Sequence, residues 1–266
     1  MSIKVAIAGA RGRMGTAAVK AIQDATDMQL VAILDYKNDG KYLSGTEING
    51  DSNGIPIFTS FSTMNQSIMP DVLLDLTEPD SVFKTVHEAI SLGIRPVVGT
   101  SGLSDENIKS LSKLATNKGI GGIIAPNFSI GAVLMMKFSA MAARYLGDIE
   151  IIELHHNHKV DAPSGTALKT AEMIMKVREP HKQGHPDEKE LIQGARGADL
   201  DGMKIHSVRL PGFLAHQEVL LGGEGEMLTI RHDSFDRSSF MPGILMSIRS
   251  VIDREDLVYG LENIIE

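Results

Sequence analysis

Along the first half of the chain, short apolar runs alternate with longer amphipathic stretches. Residues 3–8, 29–34, 71–76, 95–98 and 120–125 are apolar, often β-branched, and four to six residues long, which predicts buried strands. Helical patterns fall between them, over 16–24, from near Pro79 to just before Gly93, and after Ser104. Repeated β-α units of this kind predict a doubly wound parallel sheet with helices on both faces, a Rossmann-like α/β architecture.

The rhythm changes from about Asn127. A Met- and Ala-rich helix is predicted over 131–146, a strand over 148–154, a helix over 165–177, and then a polar Gly/Pro/charge stretch over 179–201. Strand-like runs follow at 203–210, 216–221 and 226–232, the last two joined by a Gly222-Gly-Glu-Gly225 turn. This predicts a second, α+β domain with a mostly antiparallel open sheet. A last helical region, 238–254, is expected to pack back on the first domain. The domains are accordingly read as 1–126 plus 238–266, dinucleotide-binding, and 127–237, substrate-binding.

Composition narrows the chemistry. With 266 residues and 42% apolar content, the chain can bury the cores of two domains. A net charge of -8 argues against nucleic acid or an anionic membrane as partner, so local basic residues are read as site chemistry. The absence of cysteine excludes disulfides and thiol catalysis. The first apolar run is too short for a signal peptide or a membrane span, and a cytoplasmic protein is expected.

The first strand runs into Gly9-Ala-Arg-Gly-Arg-Met-Gly15 and a helix. Strand, glycine loop and helix N-terminus let backbone N–H groups approach a pyrophosphate. The spacing is Gly-x-x-Gly-x-x-Gly, with Arg11 at the second glycine of the usual dinucleotide fingerprint. Asp35 ends the second strand, where an acid suits ribose hydroxyls. The alternative is that Gly9, Gly12 and Gly15 serve only a tight turn and helix packing. Turns at Gly99-Thr-Ser-Gly102 and Ala125-Pro-Asn-Phe-Ser129 also follow strand ends and are placed to line the nicotinamide side of a cofactor.

The densest chemistry is Glu153-Leu-His-His-Asn-His-Lys-Val-Asp-Ala-Pro-Ser-Gly-Thr166. If strand pairing persists to Lys159, His155, Asn157 and Lys159 share one face and His156 and His158 the other. Ser164 is a natural N-cap for a helix beginning at Gly165. A helix N-terminus beside imidazoles and an ammonium suits carboxylates or phosphate, and imidazole can donate and recover a proton near neutral pH. Two other readings stand beside this one: a solvated strand end, and a zinc site on His156 and His158, which a nearby lysine and helix N-terminus disfavour.

These motifs together resemble the 4-hydroxy-tetrahydrodipicolinate reductase (dihydrodipicolinate reductase) family of the diaminopimelate route to lysine. The resemblance rests on Val5-Ala-Ile-Ala-Gly-Ala-Arg-Gly-Arg-Met-Gly15, Val98-Gly-Thr-Ser-Gly102, Pro126-Asn-Phe-Ser129, the 153–167 segment and Gly222-Gly-Glu-Gly225. It implies His155 as general acid/base and Lys159 as second proton donor, with His156, Lys159, Gly165 and Thr166 on the substrate. It implies Gly9, Ala10, Arg11, Gly12, Arg13 and Met14 as the pyrophosphate loop and Asp35 as the ribose acid. Gly99, Thr100 and Ser101, with Ala125, Pro126, Asn127 and Phe128, fall on the nicotinamide side. Ser101 stands where threonine is more familiar and keeps the hydroxyl. Tyr36 stands where some relatives carry an arginine able to meet a 2′-phosphate, which leaves Lys37 or Arg13 for that role. NADH or dual use with NADPH, no metal, a small dicarboxylate cyclic imine as substrate and a homotetramer are the further implications. Rival functions are a non-catalytic nicotinamide sensor, for which no basic recognition face is found, and a zinc hydrolase.

Overall fold

The computed structural model describes residues 2–37, 40–43 and 54–265. In chain order the elements are β1 (Ile3–Ala8), α1 (Arg13–Asp24), β2 (Met28–Leu34), β3 (Tyr42–Leu43), β4 (Ile55–Phe58), α2 (Phe61–Ser67), β5 (Val72–Asp75), α3 (Pro79–Ser91), β6 (Arg95–Val98), α4 (Asp105–Lys118) and β7 (Gly122–Ile124). The second half continues with α5 (Ile130–Ala142), β8 (Asp148–His155), α6 (Gly165–Met175), β9 (Ala198–Leu200), β10 (Met203–Arg209), β11 (Ala215–Gly223), β12 (Glu226–Ser234), α7 (Met241–Ser250) and β13 (Leu257–Tyr259). Two compact units result: 1–128 with 240–266, and 129–239.

In the first unit the described strands form an eight-stranded sheet of order β13-β7-β6-β5-β1-β2-β4-β3. Every neighbouring pair is parallel except β3 with β4. The central strands are apolar on both sides because helices cover both faces: Val5, Ala6, Ile7, Leu73, Leu74, Val97 and Val98 are fully buried. Each such Ile or Leu contributes about 1.5–3 kcal/mol by leaving water. Ser60 and Ser104 cap α2 and α4 by accepting from Thr63 N and Asn107 N, and Gly119 ends α4 in the left-handed conformation.

The sequence pattern misses four elements here. The strands β3 and β4 and the short helix α2 lie in a stretch for which the sequence reading gives no element, and β13 adds to the sheet edge at Leu257–Tyr259, beyond the helical region expected over 238–254. The tail itself is a 3-10 turn at Arg237–Phe240, the helix α7, and then β13.

In the second unit the described strands form a five-stranded sheet of order β12-β11-β8-β10-β9, mostly antiparallel, with only β8 and β10 parallel. Ile149 and Ile151 of β8, Val219 and Leu221 of β11, Met203 of β10, and Ala167, Ala171 and Ile174 of α6 are all fully buried. The helix over 131–146 ends earlier than its pattern suggests, at Ala142, and α6 runs to Met175. No described helix is long and apolar enough to cross a membrane.

Candidate functional site

Gly9 follows β1, Asp35 follows β2, Leu76 follows β5, Gly99 follows β6 and Ala125 follows β7. In a parallel sheet these positions share the carboxyl edge, and the strand order reverses at β1, the place where such sheets hold ligands. The loops pack tightly against one another there. A Cβ on Gly9, whose φ is +84°, would lie 2.4 Å from the Leu76 carbonyl oxygen, and one on Gly99 would lie 2.7 Å from the Phe128 ring and 2.9 Å from Leu76. A Cβ on Gly15 would lie 2.2 Å from the Gly9 oxygen, so Gly15 lets α1 pack on the loop. Gly12 differs: its nearest neighbour would be 3.4 Å away, leaving its backbone approachable. Gly12 is the N-cap of α1 and supplies no side-chain cap, so the first-turn N–H groups suit an anion such as a pyrophosphate.

Arg11 does not point away as a generic surface arginine. It forks onto Asp35, with Nε–Oδ2 2.5 Å and Nη2–Oδ1 2.8 Å. Asp35 also accepts from Lys37 N at 3.1 Å. Burial pushes the Asp35 carboxyl up, but the hydrogen bonds from Arg11 and Lys37 outweigh it and hold the group below its ordinary range. Tyr36, exposed, has the Arg11 guanidinium carbon 5.8 Å and the Lys37 ammonium 4.9 Å from its ring centroid. Of the other candidate cofactor residues, Ala10, Thr100, Ala125 and Phe128 are buried, Met14 and Asn127 half-buried, and Arg13, Ser101 and Pro126 exposed. The Thr100 hydroxyl is committed to Asp75, donating to Oδ1 at 2.6 Å, and Thr77 donates to the same oxygen through its hydroxyl at 2.8 Å and its N–H at 3.1 Å. Asp75 is fully buried, and burial holds its carboxyl above the ordinary range despite those donors.

The His/Lys segment belongs to the second unit. Pairing does not persist to Lys159: β8 ends at His155, and the chain turns so that Lys159 N–H donates to the His156 carbonyl at 3.1 Å. The proposed sharing of faces by His155, Asn157 and Lys159 is therefore replaced by a turn. His155 finishes the buried alternation Ile149, Ile151, Glu153 on β8. Its Nδ1 lies 2.5 Å from Glu153 Oε2. Lys159 Nζ donates to both oxygens of Asp161, at 2.7 and 2.9 Å. The His156 and His158 rings are 6.3 Å apart, and the buried Nδ1 of His156 has no partner among the described residues. No group of three or more His, Cys, Asp or Glu suited to a metal forms among the described residues.

Ser164 caps α6 by accepting from Ala167 N at 3.2 Å. Gly165 follows, exposed, with nothing within 4 Å of a notional Cβ, and Thr166 is half-buried behind it. The first turn of α6 thus begins at an open backbone position, as an anion cradle requires.

Two residues absent from the sequence-derived site organise this region. Glu153 is fully buried, and Arg209 of β10 meets it through Nη1–Oε2 at 2.8 Å and Nη2–Oε1 at 2.7 Å. Glu153 Oε1 also accepts from Ser164 N at 3.2 Å. Burial alone would push this carboxyl up, but hydrogen bonds from His155, Arg209 and Ser207 lower it to about 2. A signal for Glu153 was present in the pattern: it takes a buried place in the alternation of β8, where a charge requires a partner. Nothing local to Arg209 pointed to its partner, which lies 56 positions away.

The family model described as dihydrodipicolinate reductase, N-terminus, matches residues 3–128, and the one described as dihydrodipicolinate reductase, C-terminus, matches 131–265. A protein of Lysinibacillus sphaericus named 4-hydroxy-tetrahydrodipicolinate reductase is 57% identical over 265 residues, covering 100% of both chains. One of Geobacillus kaustophilus with the same name is 56% identical over 267 residues, again covering 100% of both. The solved structure of dipicolinate-bound dihydrodipicolinate reductase from Paenisporosarcina sp. TG-14 superposes with a TM-score of 0.90 at 52% identity, over 100% of each chain. With both halves matched by one family and relatives this similar over the full length, the chain belongs to the dihydrodipicolinate reductase family of oxidoreductases.

Proposed function

We propose that this chain reduces 4-hydroxy-tetrahydrodipicolinate, through the dihydrodipicolinate cyclic imine, to tetrahydrodipicolinate with release of water, in the diaminopimelate route to lysine. The observation that carries the reading is in the second unit: one buried carboxylate, Glu153, bonds both the imidazole of His155 and the N-cap residue of α6. An acid/base group is thereby tied to the opening of an anion cradle, which is the pairing that reduction of a cyclic dicarboxylate requires.

The first-turn N–H groups at Gly165 and Thr166 hold a substrate carboxylate, with His156 beside them. A nicotinamide cofactor held by the first unit would supply the hydride that ring C4 takes up. His155 and Lys159 stabilise the negative charge that then develops on the nitrogen-conjugated system and deliver the proton that completes the reduction. Gly9 to Met14 hold the pyrophosphate, Asp35 the adenosine ribose, and the 99–101 and 125–128 turns the nicotinamide side. The first unit is accordingly the dinucleotide-binding domain and the second the substrate-binding and oligomerisation domain of a homotetramer. Support for the latter is the exposure of Phe138 and Met141 on α5, of Tyr145 just after it, and of Met227 and Leu228 on the edge strand β12.

The cofactor of this reading is NADH, or NADH and NADPH both. The reading is tested by following cofactor oxidation in the presence of the synthase that makes the substrate, with each cofactor in turn. Turnover that depends on the synthase product is expected, and its absence with both cofactors would overturn the assignment.

A further inference from the structure

We infer that Glu153, clamped by Arg209, is a positioning residue for this reaction: it fixes the His155 imidazole with a proton on Nδ1 and leaves Nε2 as the nitrogen that meets the substrate. The inference rests on the reaction proposed above and adds two residues and a tautomer to it.

The argument is one of donors and acceptors. An ionised carboxylate only accepts hydrogen bonds, and it has about four lone-pair sites. Glu153 has four N–H donors directed at it, besides the Ser207 hydrogen bond. Oε1 takes Arg209 Nη2 and Ser164 N, at 2.7 and 3.2 Å, and Oε2 takes Arg209 Nη1 and His155 Nδ1, at 2.8 and 2.5 Å. Since Oε2 cannot donate, Nδ1 must carry the hydrogen. The neutral ring then has a bare Nε2, and the protonated ring has on Nε2 the one hydrogen left to give.

A purely structural role would need less. The fork of Arg209 on Glu153 is a complete ion pair without any imidazole. What the observed arrangement adds is orientation: with both oxygens shared between the guanidinium and a second donor, the carboxylate plane is fixed, and the imidazole takes its direction from it. Arg209 extends the device. Its Nη2 also donates to the Asp161 carbonyl at 2.7 Å, and Asp161 holds the ammonium of Lys159. The two proton donors of the proposed reaction thus hang from one buried pair, and the N-cap of α6 hangs from the same carboxylate.

The test is made on the full chain labelled with 15N-histidine. His155 is assigned by the signal lost in His155→Asn, at a pH where the ring is neutral. A protonated Nδ1 and a bare Nε2 are expected in the wild type, and a mixture of tautomers in Glu153→Gln. In steady-state kinetics Glu153→Gln should lower kcat on the order of 10²-fold with substrate KM changed less than about threefold. The same change should add less than about twofold in the His155→Asn background, because its effect passes through His155. A protonated Nε2 in the wild type, or an equal loss in both backgrounds, would overturn the proposal, and the wild-type spectrum decides even if Glu153→Gln does not fold. If the wild type shows the tautomer but no turnover, the proposed reaction falls while the tautomer assignment stands.

Discussion

Arg11, at the place where a dinucleotide loop usually carries its second glycine, clamps Asp35 through two hydrogen bonds of 2.5 and 2.8 Å. The proposed ribose acid is therefore matched by a cation from the glycine loop itself, with Lys37 two residues on and turned to the same tyrosine ring as Arg11. An unpaired aspartate repels the 2′-phosphate of NADPH, whereas a neutralised one beside Arg11 and Lys37 tolerates it.

Removing that cation should separate the two cofactors. In Arg11→Ala, KM for NADPH is expected to rise roughly tenfold more than KM for NADH, a differential of about 1.4 kcal/mol. Parallel changes in both would show that the pair only braces the loop.

Gly12 offers a cleaner test of the loop. Its φ of -70° is open to any residue, and a Cβ there would come no closer than 3.4 Å to its neighbours. Gly12→Ala should lower Tm by only about 1–3 °C, the cost of a poorer N-cap. Cofactor Kd, measured by titration, should rise about tenfold or more as the methyl occupies the path of the pyrophosphate. Unchanged affinity would leave the loop as a turn and nothing more.

Asp75 is a buried carboxyl whose Oδ1 takes three donors while Oδ2 has no partner among the described residues. Burial raises its pKa above that of an ordinary aspartate, so the folded chain binds this proton more tightly than the unfolded one. Stability is then lost as pH rises from about 4 through the raised value. Asp75→Asn keeps the accepting oxygen and removes the charge. Its Tm relative to wild type should climb between pH 4 and pH 7, and a constant difference would contradict the burial argument.

How far the sequence reveals this architecture depends on whether a residue's meaning is local. The β1 span, the Ser164 cap and the β6 span follow from short-range pattern, and the structure reproduces them. The alternation carried from His155 to Lys159 fails because a strand's period lasts only as long as its partners do, and β10 and β11 release β8 at His155. In sequence Arg11 is a departure from a glycine motif, and its meaning appears only when Asp35, 24 positions later, is brought beside it. Glu153 was visible as a charge in an apolar alternation, but Arg209 could be paired to it only through the parallel register of β10 on β8, which sequence does not fix.

The division of the proposed chemistry between units sets up the next expectation. The glycine loop and Asp35 belong to the first unit, His155 and Lys159 to the second. Lys159→Ala and His155→Ala should each lower kcat by ~10²- to 10⁴-fold while cofactor Kd stays within about twofold. Wild-type turnover in both variants would remove them from the chemistry.

The buried hub also makes a prediction about acid. Its hydrogen bonds lower the Glu153 carboxyl to about 2 in the folded chain, below the ordinary glutamate value of about 4.3, so its contribution is complete above that value and is lost as pH falls towards 2. Over that window the loss is on the order of 3 kcal/mol, the side chain being fully buried. Other carboxylates titrate in the same range, so the informative quantity is the difference from Glu153→Gln. That variant leaves the Arg209 guanidinium without its counter-charge and should be less stable at pH 7, by about 3–5 kcal/mol. Lacking the titrating group, it should lose less on acidification. The two stability curves, followed by thermal unfolding from pH 7 down to pH 3, are therefore expected to converge, and curves that stay parallel would show that Glu153 is not the ionised centre of the network.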